Sequence, residues 1–161
     1  MSAMIDVTVQ SAAWEKLPRA EAAVRRAIEA TLRNEQKHDG EIGIVLTDDA
    51  HIQALNRDFR ETDKPTNVLA FPAPKQPGES RPPIGDIVLA YETLAREAAA
   101  EKKPIEHHLV HLAVHGMLHL LGFDHMNDAD AETMETHERA ILVKLGIPDP
   151  YAAREDAGAA A

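Results

Sequence analysis

IEHHLVHLAVHGMLHLLGFDH, running from Ile105 to His125, is the stretch from which the fold of this chain is read. Leu109, Leu112, Ala113, Met117, Leu118, Leu120 and Leu121 make most of a helix from Ile105 to Leu121 apolar, which predicts an element buried against a sheet at the centre of the domain. His111, His115 and His119 interrupt that wall. On a helix, two residues four apart project from one face about 40° from each other and about 6 Å along the axis, so His115 and His119 can reach one ion. Gly122 supplies the left-handed stop that commonly ends a helix, after which the chain can turn back and bring His125 to the same point. Three neutral imidazoles, with a fourth position left to water, are the ligand set of a catalytic zinc rather than a structural one.

Outward from this helix, Ile5 to Val9 alternates apolar and polar residues as a half-buried strand does, and Ile42 to Leu46 reads as a more buried one. Between them the pattern from Trp14 to about Leu32 predicts a helix with Leu17, Val24, Ala27, Ile28 and Leu32 on one face and Pro18 in its first turn. Thr47 or Asp48 caps the next helix, where Ile52, Leu55 and Phe59 recur at helical spacing, and which ends near Phe59 or Arg60. Asn67 to Phe71 and Ile84 to Ala90 read as two further strands, joined by the surface loop PAPKQPGESRPP, whose five prolines and one glycine forbid regular structure. Helices follow at Thr93 to Lys102, Ile105 to Leu121 and Asp128 to Leu145. This order predicts an α+β fold: a small mixed sheet of about four strands packed with five or so helices, the metal-bearing helix central. One domain is expected over residues 1–151, with 152–161 a disordered, alanine-rich tail.

Composition narrows the function. The chain has no cysteine, which removes disulfides, thiolate nucleophiles and thiolate zinc sites, suits a cytoplasmic protein, and leaves histidine and carboxylate as the strong metal ligands. Neither a secretion signal nor a membrane span is expected. A formal net charge of −10 argues against a broad basic surface for nucleic acid, so any RNA contact is local. The charges are uneven: Arg57, Arg60, Lys64, Lys75 and Arg81 lie together in sequence, whereas six carboxylates fall between Asp124 and Glu138.

A zinc ion held by three histidines lowers the pKa of the water it binds from about 15.7 to about 7 and polarises phosphoryl or carbonyl oxygens, which makes hydrolysis the default reaction. In the peptidase pattern a glutamate follows the first histidine as general base; here the residue is Gly116, which counts against a standard zinc peptidase. Gly116 marks either the close approach of a substrate or backbone, or a tight helix packing contact. Asp124 is either a group that orients a ligand or takes a proton, or a residue of the helix-exit turn. His111, one turn before His115, is read as accessory, and His38, His51, His107, His108 and His137 as ordinary surface residues. The second constellation is NRDFRETDKPTNVLAFP, from Asn56 to Pro72, which puts Arg60 at a helix end. Its planar guanidinium can clamp a phosphate, or can serve the terminal helix carbonyls.

These two blocks carry a resemblance. HGMLHLLGFDH is similar to the histidine signature of the YbeY family of bacterial endoribonucleases, the rRNA maturation factors, with Phe123 where tyrosine is usual. NRDFRETDKPTNVLAFP resembles the second signature of that family, with Ala70 where serine is frequent. The likeness covers roughly Ile5 to Tyr151 and includes Gly85-Asp86. It implies that His115, His119 and His125 bind one Zn2+ per chain, and that Arg60 and His115 are the catalytic residues. It further implies a single-strand-specific endoribonuclease of the cytoplasm that matures rRNA at the small-subunit 16S 3′ end and acts in ribosome quality control. Its partners would be single-stranded RNA, rRNA precursor, small-subunit components and a ribosome-associated GTPase, with no DNA and no membrane. The residues leave open whether the nucleophile is water or the RNA 2′-hydroxyl. They also leave zinc, copper, nickel and iron as metals for three imidazoles. Two other readings compete: a non-enzymatic assembly factor with a structural zinc, and a metal-dependent hydrolase of another substrate.

Overall fold

Strand β1 (Met4–Val9) lies parallel to β2 (Glu41–Thr47), Ile5 beside Ile42 and Val7 beside Ile44, and helix α1 (Ala20–Asn34) makes the return between them. The computed structural model describes residues 3–37, 39–74 and 83–152. Parallel neighbours need such a crossover, and α1 is built for it: Ala20, Ala23, Val24, Ala27, Ile28 and Thr31 form one buried stripe at helical spacing. The helix predicted from Trp14 starts later than expected. Ala12–Lys16 is a separate 3-10 turn, opened by Ser11, whose hydroxyl accepts from the Ala13 N–H, and Pro18 lies in the turn before α1 rather than within its first turn. The cause is tertiary: the buried indole of Trp14 donates to the carbonyl of Thr47 at 2.9 Å, which ties it to the end of β2 instead of to the α1 stripe.

Helix α2 (Asp49–Arg60) starts at Asp48, whose carboxylate accepts the His51 N–H at 2.8 Å, and stops where Glu61 turns left-handed. The chain then enters β3 (Val68–Pro72), which runs antiparallel to β4 (Pro83–Ala90). β4 also pairs in parallel with β2, so the order across the sheet is β1-β2-β4-β3 and β3 forms an edge. Residues 75–82, most of the predicted proline-rich loop, fall outside the described residues, as do His38 and all of the predicted tail except Ala152.

Alternation along β4 sorts the two faces of the sheet. Ile87 and Leu89 point into the main core with α1, α4 (Ile105–Leu120) and α5 (Asp128–Lys144), whereas Val88 and Ala90 meet Ile52 of α2 in a smaller cluster on the other side. Helix α3 (Tyr91–Ala100) leaves β4 directly and packs on α4. Leu109, Met117 and Leu118 of α4 are fully buried, a contribution of about 1.5–3 kcal/mol each. Among the described residues, the mixed four-stranded sheet, the five α-helices and the central α4 are the α+β architecture the sequence predicts. Among the described residues, no helix is long and apolar enough to cross a membrane.

Candidate metal centre and its cleft

The last turns of α4 position two of the predicted ligands, and a glycine-dependent exit positions the third. Gly122 takes φ +103°, its N–H donates to the His119 carbonyl and the Phe123 N–H reaches back to the Leu118 carbonyl, each at 3.0 Å. This pair of backward bonds is a Schellman stop, which reverses the chain within three residues and delivers His125 over the helix face it has just left. His115, His119 and His125 each offer a ring nitrogen, and these atoms all lie within 4.8 Å of one another. The Nε2 atoms of His115 and His119 are 3.1 Å apart. Two imidazole lone pairs facing each other repel unless a proton or a cation is shared between them, so the donor set fits a divalent ion. Burial pushes the His119 imidazole below its ordinary range, and the neighbouring His115 and His125 push it the same way, which keeps it in the neutral form that metals take.

Behind the three histidines stands a residue the sequence reading did not single out. Glu138 of α5 is fully buried, and its Oε1 accepts the Nδ1–H of His115 at 2.5 Å. Its Oε2 meets His111 Nε2 at 3.0 Å and accepts the Tyr151 hydroxyl at 2.5 Å. Burial alone would raise this carboxyl, but the hydrogen bonds from His111 and His115 outweigh it and hold the pKa down to about 2. His111 stands outside the group of three convergent histidines. Asp124 is an exposed turn residue whose carboxylate accepts the His125 N–H at 2.7 Å.

The histidines open into a cleft of about 620 Å³ whose other wall is β3, with Asn67, Val68 and Ala70, and to which Arg60 also contributes. The two sequence blocks, far apart in the chain, thus share one site. Arg60 donates to the carbonyls of Phe59 at 3.3 Å and Ala70 at 3.0 Å and lies 4.9 Å over the Phe71 ring. It therefore serves a helix carbonyl and faces the cleft at once. Asn67 is fixed by Glu97 of α3, to which its amide donates at 3.0 Å. Gly116 also lines the cleft, yet its place is set by packing: a Cβ there would lie 3.1 Å from Ile87 Cγ2 and 3.4 Å from Val68 Cγ2.

Two histidines read as surface residues prove otherwise. His108 is 5 % exposed and bonds Glu97 at 2.9 Å, and the half-buried His137 bonds Glu35 at 2.7 Å and packs against Phe123. Each is drawn inward by a carboxylate on another helix or at its end, which spacing along the chain does not reveal.

Comparison with known proteins agrees with this geometry. The family model described as Endoribonuclease YbeY matches residues 7–146. A Bradyrhizobium diazoefficiens protein named Endoribonuclease YbeY is 51% identical over 158 residues, covering 94% of this chain and 86% of its own. One of the same name from Azorhizobium caulinodans is 53% identical over 152 residues, covering 92% and 96%. Among solved structures, that of a Thermotoga maritima protein matches with a TM-score of 0.54 at 21% identity, over 88% of this chain and 91% of the other, and so shares the fold. With a family match running from β1 to the end of α5 and a histidine cluster assembled on the fold, this chain belongs to the Endoribonuclease YbeY family.

Proposed function

We propose that this protein is a zinc-dependent, single-strand-specific endoribonuclease of the cytoplasm that processes the 3′ end of small-subunit 16S rRNA and takes part in ribosome quality control. The observation that carries the reading is the shared cleft: three convergent imidazoles on one wall and the guanidinium of Arg60 at the other. His115, His119 and His125 would hold the ion, one per chain. When bound, such an ion supplies Lewis acidity toward a phosphate oxygen and acidifies water. Arg60 would place its fork of donors on the phosphodiester and stabilise the charge that builds there. Among the described residues its guanidinium meets only neutral acceptors and a ring, so a phosphate has no carboxylate to displace. Gly116 in place of the peptidase glutamate supports a phosphodiester over a peptide substrate. With a net charge of −10, affinity for long RNA would come from partners, for which small-subunit components and a ribosome-associated GTPase are proposed.

Wild type, His115→Ala and Arg60→Glu, compared on one labelled rRNA precursor with metal content measured in parallel, test this. Wild type should cut single-stranded RNA and spare duplex. His115→Ala should lose both metal and cleavage. Arg60→Glu should keep its metal and lose roughly a hundredfold or more in rate. Equal cutting by all three would refute the site, and ribosome binding without cleavage by wild type would favour an assembly factor. Elemental analysis of protein made without added metal tests the choice of zinc.

A further inference from the structure

Glu138 is the one buried carboxylate among the described residues, and three neighbours converge on it. An ionised carboxylate only accepts, so the protons must come from those neighbours: His115 Nδ1–H to Oε1, and His111 Nε2–H and the Tyr151 hydroxyl to Oε2. For His115 the result is a fixed tautomer. Its proton sits on Nδ1, and its lone pair sits on Nε2, the atom 3.1 Å from His119 Nε2. His119 sits at the turn that ends α4, where its backbone carbonyl accepts the Gly122 N–H at 3.0 Å. The ring of His115 is thus oriented from outside its own helix, by a carboxylate of α5.

The geometry points to Glu138, backed by Tyr151 and His111, as the positioning residue of the metal centre, setting the tautomer and ring angle of His115 and thereby the affinity for a divalent cation. This rests on the reading that the three histidines hold a metal. A buried charge kept for packing alone could be exchanged for an apolar side chain with little loss, whereas here the charge faces a ligand nitrogen. Residues that orient metal-bound imidazoles in this way typically change affinity by about tenfold to a hundredfold when replaced. Tyr151 lies beyond α5, so the segment after the last helix closes the back of the site and completes the acceptor's hydrogen bonds.

The test uses the full chain and Zn2+ alone, with affinity read by competition against a chromophoric chelator. Glu138→Gln, which keeps shape and removes charge, should bind Zn2+ about tenfold to a hundredfold more weakly. In that variant the visible spectrum of the Co2+-loaded protein should change, and the rise in Tm that metal gives wild type should shrink. The metal-free variant should lose Tm as well, since three hydrogen bonds end on this carboxylate, so affinity separates the two roles: a merely structural glutamate would lower Tm and leave affinity alone. Tyr151→Phe, which leaves the carboxylate in place, should weaken binding by about threefold or more. A folded Glu138→Gln with wild-type Zn2+ affinity overturns the inference. If that variant does not fold, Tyr151→Phe decides, and unchanged affinity there overturns it equally. Failure of wild type itself to take up Zn2+ or Co2+ would instead strike the histidine-site reading.

Discussion

Arg60 ends α2 with its guanidinium spread over the Ala70 carbonyl and the Phe71 ring, two neutral partners that ask for a flat, forked donor rather than a point charge. Arg60→Lys should therefore fall well short of wild type despite equal charge. Loss of about 1.5–3 kcal/mol of transition-state stabilisation is expected, roughly tenfold to a hundredfold in kcat/KM on single-stranded RNA, with zinc content unchanged. Steady-state kinetics beside metal analysis would check it, and an unchanged kcat/KM would remove the fork from the mechanism. At this scale the convergence of His115, His119 and His125 was legible because helical spacing and a glycine stop are local rules. Glu138 was not: it lies 23 residues from His115 within an acidic run that reads as a solvated face, and only the packing of α5 on α4 turns it inward.

At the scale of elements, Gly116 is a point where α4 lies close on the sheet. Gly116→Val would drive methyl groups into Ile87 and Val68, so about 1–3 kcal/mol of destabilisation is expected in denaturant unfolding, an outcome that wild-type stability would contradict. Two other helices open by capping each other: Glu92 accepts the Asp49 N–H at 3.0 Å, while Asp49 accepts the Thr93 N–H at 3.1 Å and pairs with Arg96 at 2.8 Å. Asp49→Ala removes the acceptor for the α3 start and should cost about 1–2 kcal/mol by the same measurement. Element types were readable from periodicity, and the order of strands and helices gave the α+β class. The start of α1 was not, because the Trp14 indole answers to Thr47, 33 residues away. The choice between two meanings of Gly116 also needed the sheet beneath it.

Across the whole molecule, the buried His108 joins α4 to α3 through Glu97. Burial pushes its imidazole below the usual 6.5, against the pull of Glu97 and Glu101 and with that of Lys103, and among the described residues its Nδ1 has no hydrogen-bond partner. A folded-state pKa below the unfolded one means that the unfolded chain takes up the proton first. Its contribution is therefore complete above about 6.5 and is lost as pH falls through the lower folded value. Wild type should lose more Tm between about pH 7 and pH 5 than His108→Gln does, and parallel pH curves would show that His108 is not responsible. The same arrangement carries the Asn67 wall of the cleft, since Glu97 bonds both residues. The sheet's border has a different bearing on experiment. Among the described residues β3 has a strand partner on one side only, and Arg60 covers the Ala70 oxygen along the other rim. Truncating that arginine uncovers a template on which a second copy's strand can add, so self-association should accompany lost cleavage in Arg60→Ala. Light scattering across a concentration series would register it, and rates for such variants belong to the monomer fraction alone.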